Sequence, residues 1–126
     1  MLGDQVDETA LSSLPLNAVI DTADNGLQVH DFRVGRGESP SSTDTVRVGY
    51  VGYLPDGTVF DSSEGIDFPL TNLIQGFSEG VQGMNVGGIR RIIIPPDIGY
   101  GPGGNPGAGI GGEDIIVFDV TLLGIV

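Results

Sequence analysis

Apolar and polar residues alternate along most of the chain after Gly26, and this period of two is typical of β-strands. Strands of this kind bury one face and expose the other. In the last run, Ile116, Phe118 and Val120 all fall on one side, together with Leu122. The pattern predicts about six strands, in residues 27–34, 46–54, 58–61, 66–70, 89–96 and 114–126.

One stretch has a helical period instead. Its apolar residues follow one another at spacings of three, four and three, which places them on one face of a helix: Ile74, Phe77, Val81 and Met84. Glycines interrupt this stretch, and each costs about 1 kcal/mol relative to alanine in a helix interior. We therefore expect a short helix that packing against the rest of the domain holds in place.

The connections between these segments complete the prediction of the fold. Pro55-Asp56-Gly57 has the composition of a tight turn, and residues 61–64 (DSSE) are interpreted as a solvated turn. Residues 97–113 form a loop of 17 residues with eight glycines, and loops of that length are usually functional or disordered. Strands and helices do not alternate, so we expect an α+β fold: an antiparallel, twisted sheet of five to six strands wrapped around one short helix.

The chain divides into two parts by composition. Residues 1–25 hold acids, no base and scattered apolar positions, which predicts a mobile or weakly docked arm, and residues 26–126 form the domain. The first 25 residues lack the basic start and apolar stretch of a signal peptide, and no apolar run approaches the ~18 residues that span a bilayer. The compartment stays open: we expect a soluble protein that is cytoplasmic or exported through a signal outside this sequence.

Charge excludes several partners. The chain carries 17 acidic and 5 basic side chains, a formal net charge of −12, and all of its basic residues are arginine. Nucleic acids and anionic membranes attract proteins through Lys and Arg that neutralise phosphates, so neither is an expected partner. The acid excess opposes self-association, which predicts a monomer. Arg90 and Arg91 are interpreted as part of a solvated strand edge, although one of them could pair with a carboxylate.

The chain is poor in the side chains of covalent and metal chemistry. It has no cysteine and a single histidine, His30, which excludes thiolate nucleophiles and His- or Cys-rich metal sites. The G-x-G-x-x-G match at residues 99–104 is followed by Asn-Pro where a helix should begin. A calcium loop that started at Asp21 would have Ala23 at its third position and Phe32 at its twelfth, where carboxylates are needed. We therefore expect no cofactor and no metal.

Four segments, in order, carry the strongest signal. Residues 50–63 (YVGYLPDGTVFDSS), 73–84 (LIQGFSEGVQGM), 86–101 (VGGIRRIIIPPDIGYG) and 115–123 (IIVFDVTLL) together resemble the FKBP-type peptidyl-prolyl cis-trans isomerases, the tacrolimus- and rapamycin-binding immunophilins. The resemblance covers residues 26–126 and points to a bacterial-type member. It implies an apolar pocket between helix and sheet.

The resemblance also implies which residues form that pocket. The positions expected to be catalytic are Tyr50, Asp61, Tyr100 and Phe118. Those expected to bind substrate or macrolide are Phe60, Ile66, Leu73, Ile74, Phe77 and Ile110. In such proteins the residues matching Tyr100 and the backbone NH of Ile74 hydrogen-bond ligand carbonyls, while the carboxylate matching Asp61 accepts a hydrogen bond from bound macrolides. Phe32, Tyr53 and Phe68 are expected to belong to the core or the surface.

The sequence departs from the family pattern in three places. Phe77 stands where tryptophan commonly forms the pocket floor, which implies altered packing and ligand affinity. The connection between Leu70 and Ile74 is shorter than in compact single-domain members, as in bacterial ones. Asn105 replaces a frequent histidine, and one residue is inserted before Ile110 in the glycine-rich loop.

The implied activity is rotation about X-Pro peptide bonds, which assists protein folding. The barrier is ~18–20 kcal/mol because rotation removes amide resonance, and no covalent bond has to break. A site without a nucleophile or a metal can therefore catalyse this rotation. The alternative is a non-catalytic FKBP-like module that keeps the pocket and binds proline-containing segments or partner proteins. Proline-containing polypeptides and macrolides such as tacrolimus or rapamycin are the expected partners in either case.

Overall fold

The computed structural model describes residues 21–126. Within this range, six strands form one antiparallel sheet: β1 (Asp21–Thr22), β2 (Gln28–Arg33), β3 (Thr45–Tyr53), β4 (Val59–Pro69), β5 (Ile89–Ile94) and β6 (Ile116–Ile125). Their order across the sheet is β1-β2-β5-β6-β3-β4. Among the described residues there is one α-helix, α1 (Gln75–Gln82), and three short 3₁₀ helices at Leu70–Asn72, Pro96–Ile98 and Pro106–Ala108. The predicted α+β class, with an antiparallel sheet and one short helix, is confirmed.

The main core lies between α1 and one face of the sheet. The inward residues of β6 are all buried, as the alternation predicts, and the neighbouring strands contribute Val46 and Val48 from β3 and Ile92 and Ile94 from β5. The helix presents Phe77 and Val81 to this face. Burial of the alternating side chains on one face is therefore what joins the sheet to the helix.

Two helix glycines stand directly on strand β5. A Cβ atom at Gly76 would lie 2.5 Å from Ile94 Cγ2, and one at Gly80 would lie 2.5 Å from Ile92 Cδ1. Real Cβ atoms do not approach other atoms so closely, so any side chain here would push the helix off the sheet. The glycines that weaken the isolated helix are therefore the residues that let it pack closely.

Strand β4 corrects one sequence prediction. Residues 58–61 and 66–70 were expected to be separate strands joined by a solvated turn, but Val59–Pro69 forms one strand of 11 residues. It pairs with β3 along its whole length, and the register shifts between Val48 and Tyr50. The irregularity explains the error, because a β-bulge interrupts the period of two that defines a strand in the sequence.

The two arginines of β5 correct another prediction. Neither lies at a solvated edge, because β5 pairs with β2 on one side and β6 on the other. Arg91 and Asp119 face each other across β5 and β6, both side chains are 0 % exposed, and Nε and Nη2 donate to Oδ1 and Oδ2 at 2.8 and 2.9 Å. Arg90 pairs with Asp31 on the other side. Both arginines therefore pair with a carboxylate, whereas the sequence indicated this possibility for one of them.

The outward face of the sheet holds a second, smaller apolar cluster of Tyr53, Ile93 and Val117. These residues flank the Arg91–Asp119 pair, and the Arg91 guanidinium lies 5.4 Å from the centre of the Phe32 ring. Arg91 and Asp119 have to remain paired, because a buried charge without a hydrogen-bonded partner is strongly unfavourable.

The sheet begins before the expected domain boundary at residue 26. Asp21 and Thr22 pair with Val29 and Gln28 as β1 and β2. The rest of the expected N-terminal arm, residues 1–20, lies outside the described residues. In residues 21–126 no helix is both long enough and apolar enough to cross a membrane.

The Gly80 contact predicts an unusual response to alanine. Gly80→Ala gains about 1 kcal/mol of helix propensity, but overpacking against Ile92 costs about 1–3 kcal/mol. We expect a net loss of about 0–2 kcal/mol in the free energy of unfolding, measured by urea denaturation, in place of the gain that helix propensity alone would give. Gly124→Ala is the control, because nothing lies within 4 Å of a Cβ there. A Gly80→Ala variant more stable than wild type would contradict the packing argument.

The buried ion pair predicts a large loss on truncation. Asp119→Ala removes the carboxylate that receives two hydrogen bonds from Arg91, and losing one partner of a buried pair costs about 3–5 kcal/mol of stability. Asp67→Ala removes the equivalent partner from Arg47, whose pair with Asp67 is exposed. Thermal or urea unfolding should separate the two variants clearly. Equal stabilities would mean that the buried pair contributes no more than a surface pair.

Candidate functional site

Aromatic rings from three strands and the helix meet at one end of the main core. Phe118 of β6 lies 4.9 Å from Phe77 of α1, 5.6 Å from Phe60 of β4 and 6.0 Å from Tyr50 of β3, measured between ring centres. Tyr50 also lies 6.1 Å from Phe77 and 6.0 Å from Phe68. Most of these contacts are edge-to-face, the favourable arrangement for aromatic pairs.

A glycine makes room for two of these rings. A Cβ at Gly52 would lie 2.8 Å from Phe118 Cε1 and 2.9 Å from Phe60 Cζ. The alternation assigned Gly52 to the apolar face of β3, but sequence reasoning did not identify it as a residue that shapes the site. Phe68, expected to be core or surface, is half-buried beside Tyr50 and was likewise not assigned to the site. Neither contact could be found without the strand register.

The polar feature of the cluster is a hydrogen bond between neighbouring strands. The Tyr50 hydroxyl donates to Asp61 Oδ2 at 2.7 Å, which joins a buried ring to an exposed residue. Burial, the hydrogen bond to Asp61 and the nearby charges all disfavour the phenolate, and they raise the pKa of Tyr50 well above its ordinary value. Tyr50 therefore stays protonated and keeps donating to Asp61 at neutral pH.

The start of α1 supplies the next group. Leu73 and Ile74 are half-buried and pack against the main core. Ile74 is the N-cap of the helix, with extended backbone angles, and its carbonyl accepts a hydrogen bond from the Ser78 N–H at 3.1 Å. The short 3₁₀ helix at Leu70–Asn72 carries the chain from β4 to this point, so the connection needs few residues.

The glycine-rich loop brings Tyr100 and Ile110 to the same core. Ile110 is buried, Tyr100 is half-buried, and both pack against the main core. Asn105 and Ile110 exchange two backbone hydrogen bonds of 2.8 and 3.0 Å, which close the tip of the loop. Gly104 has a φ of +60° and lies against the Ile110 carbonyl, where a side chain would clash. The loop is therefore ordered by its own backbone.

Ile66 differs from the other candidates. It lies opposite Val48 in the β3–β4 register, but 39 % of its surface is exposed, and it is not among the hydrophobic residues that pack against the main core. The remaining candidates divide into a buried floor of Tyr50, Phe77, Ile110 and Phe118 and a half-buried or exposed rim of Phe60, Asp61, Leu73, Ile74 and Tyr100. In residues 21–126 no three His, Cys, Asp or Glu residues cluster closely enough to hold a metal ion.

A family model for FKBP-type peptidyl-prolyl cis-trans isomerases matches residues 36–123. This chain belongs to that family. Peptidyl-prolyl cis-trans isomerase Mip of Coxiella burnetii is 40 % identical over 110 residues, which make up 84 % of this chain and 47 % of that protein. FKBP-type peptidyl-prolyl cis-trans isomerase FkpA of Escherichia coli is 39 % identical over 110 residues, 84 % of this chain and 40 % of FkpA. This FKBP-type chain therefore spans less than half the length of these two relatives.

Solved structures agree with this assignment. The crystal structure of Escherichia coli FkpA superposes with a TM-score of 0.79 at 39 % identity, covering 84 % of this chain and 51 % of that one. A peptidyl-prolyl cis-trans isomerase from Pseudomonas syringae pv. tomato superposes with a TM-score of 0.81 at 29 % identity, covering 94 % and 87 %. The resemblance to bacterial FKBP-type members is thus confirmed in sequence and in fold.

The environment of Tyr50 predicts an alkaline titration. Its pKa is raised on folding, so the folded state holds the proton more tightly than the unfolded state. That contribution to stability is complete below the unfolded pKa of about 10 and is lost as the pH rises above it. Tyrosinate absorbance should show that Tyr50 ionises only well above pH 10, and Tyr50→Phe should remove this component of the titration.

The same titration separates the causes of the shift. Burial is the largest cause, so Asp61→Asn should lower the pKa of Tyr50 only part of the way toward 10.0. Asp67→Asn, on the same strand but away from Tyr50, should leave it unchanged. Ionisation of all tyrosines together near their ordinary pKa would contradict the described packing of Tyr50.

Proposed function

We propose that this chain is a peptidyl-prolyl cis-trans isomerase that accelerates rotation about X-Pro bonds and thereby assists protein folding. The observation that supports the proposal best is the buried aromatic floor of Tyr50, Phe77 and Phe118, bordered by Phe60, Asp61 and Tyr100. Membership in the FKBP-type family supplies the reaction class. The aromatic surface supplies an environment suited to it.

Rotation about an X-Pro bond requires an apolar environment for the amide rather than a reactive side chain. A planar amide is dipolar and well solvated by water, whereas the twisted amide has less charge separation. An apolar, water-poor site therefore disfavours the twisted form less than water does, which is the differential binding that catalysis requires. Shortening an exchange of tens of seconds to milliseconds takes about four decades, or roughly 5–6 kcal/mol.

The rim residues orient the peptide in this proposal. The Tyr100 hydroxyl and the Ile74 backbone N–H bind carbonyl oxygens of the substrate. Asp61 holds the Tyr50 hydroxyl at 2.7 Å, which fixes one wall of the site, and it accepts a hydrogen bond from macrolides. The prolyl ring rests on Phe77 and Phe118, whose rings meet edge to face. Ile66, Leu73 and Ile110 complete the apolar surface.

The proposed partners follow from the same surface. Proline-containing polypeptides are the substrates, and macrolides such as tacrolimus or rapamycin compete with them for the aromatic floor. Phe77 presents a smaller ring than the tryptophan frequent in the family, so we expect weaker macrolide binding than in tryptophan-bearing members. The charge of −12 supports a monomeric protein, because like charges oppose self-association.

Isomerase kinetics test the proposal directly. We expect NMR exchange or a protease-coupled assay on a Leu-Pro or Phe-Pro peptide to be accelerated by the purified chain, and tacrolimus or rapamycin to block the acceleration. Saturable peptide binding with an unchanged exchange rate would instead identify the non-catalytic module. Folded protein that neither binds nor accelerates would overturn the assignment of the site.

Two substitutions at the rim test the residue roles. Tyr100→Phe and Asp61→Ala each remove one hydrogen-bonding group worth about 0.5–1.5 kcal/mol, so we expect about a two- to tenfold loss of kcat/KM or macrolide affinity. Circular dichroism should report an intact fold. Asp67→Ala, which removes an exposed carboxylate from the same strand as Asp61, is the control. Unchanged inhibition constants for both rim variants would show that the pocket lies elsewhere.

A further inference from the structure

The C-terminal end of α1 is fastened to the sheet by one arginine. Arg90 of β5 donates from Nη1 to the carbonyl of Gly80 at 3.0 Å. The same guanidinium donates from Nε and Nη2 to the two carboxylate oxygens of Asp31 on β2, at 2.7 and 3.0 Å. Its side chain is 12 % exposed and that of Asp31 is 31 % exposed. One side chain therefore connects two strands and the helix.

The helix itself lacks features that would hold this end. It has no basic residue in its last turn, and the glycines at positions 76 and 80 lower its intrinsic stability. The last carbonyls of a helix need partners and favour a nearby positive charge. Arg90 meets both needs for Gly80, and Ser39 Oγ donates to the carbonyls of Gln82 and Met84 at 2.9 and 2.7 Å.

The space for the guanidinium depends on a further glycine. A Cβ at Gly83 would lie 2.5 Å from Arg90 Nη1. Gly83 has a φ of −81°, an angle that any residue adopts, so the turn itself does not require glycine. Glycine at position 83 instead leaves room for the Arg90 guanidinium.

This fastening acts close to the aromatic floor. Gly80 follows Phe77 by one turn of the helix, and the Phe77 ring lies 4.9 Å from Phe118. Gly80 and Gly76 rest directly on Ile92 and Ile94, so the backbone on both sides of Phe77 lies against β5. Phe77 and Gly80 belong to the same helical turn, so the position of the Gly80 carbonyl constrains the position of the Phe77 backbone.

We propose that Arg90, held by Asp31, is a positioning residue that sets the height and tilt of Phe77 in the substrate site. This inference rests on the proposed function, since it concerns the same site. Arg90 contacts neither substrate nor macrolide in this proposal and acts only through the helix. Its loss should therefore affect ligand binding more than the chemical step.

The chain provides a matched control for the ion pair. Arg47 and Asp67 face each other across β3 and β4, as Arg90 and Asp31 do across β5 and β2. The Arg47 pair is also bidentate, at 2.8 and 3.2 Å, but it is exposed to solvent. Arg47→Met removes a cross-strand pair without the helix contact that Arg90 makes.

The experiment compares Arg90→Met with Arg47→Met in the full chain. Methionine keeps an apolar stem and removes every donor. We expect Arg90→Met to raise KM and the tacrolimus Kd about three- to tenfold, with kcat changed less than about twofold, while Arg47→Met leaves all three unchanged. The NMR signals of the Phe77 ring and the Ile74 amide should shift in Arg90→Met only. Equal KM values and equal Phe77 shifts in the two variants would overturn the proposal.

Milder variants keep the test valid if Arg90→Met does not fold. Gly83→Ala leaves both charges in place but displaces the guanidinium from Gly80, and it should reproduce the KM and Phe77 effects. Arg90→Lys keeps the charge without the planar fork, so it should recover part of the affinity. Wild-type behaviour in both would overturn the proposal. If the wild-type chain does not accelerate exchange, the proposed function fails separately, and the Phe77 and Ile74 shifts alone decide the role of Arg90.

Discussion

The contact between two helix glycines and two strand isoleucines determines where the rest of the site lies. Gly76 and Gly80 allow α1 to approach β5 so closely that a single methyl group would separate them. That approach sets how closely the backbone beside Phe77 lies against β5, and in our proposal Arg90 then sets the height and tilt of Phe77 within this contact. The aromatic floor depends on it, because Phe77 meets Phe118 edge to face. A helix that is weak by itself is thus placed accurately by contact with the sheet.

Three cross-strand pairs between arginine and aspartate use the same geometry at different depths. Arg91–Asp119 is fully buried in the middle of the sheet, Arg90–Asp31 is mostly buried beside the helix, and Arg47–Asp67 is exposed. The Coulombic attraction between the charges and the cost of desolvating them both grow with burial. The same pair of side chains therefore affects stability differently at each depth. In a chain with 5 basic residues and a charge of −12, three of the arginines are committed to the sheet.

Much of the fold could be predicted from alternation alone, because one buried face leaves a period of two in β3 and β6 and a helical period in α1. What could not be predicted depends on contacts between distant residues. The bulge in β4 hides its continuity, and nothing local to Arg91 reveals that Asp119 lies opposite it. For the same reason, the sequence supplied the site candidates only through a family resemblance. Gly52 and Phe68 join them only once the strands are in register.

The candidate site is a part of the main core that reaches the surface, so its aromatic rings contribute to the stability of the fold as well as to the site. Tyr50, Phe77 and Phe118 belong to the same buried cluster as the strand residues of the core, so changing any of these rings alters stability and ligand contact together. Groups at the margin separate the two effects. Asp61 reaches the site with a carboxylate oxygen, and Arg90 contacts the helix backbone one turn from Phe77. A catalyst that works by solvating a twisted amide needs no titrating group. Substitutions of the polar residues around the site therefore separate effects on ligand positioning from effects on folding better than substitutions of the aromatic rings do.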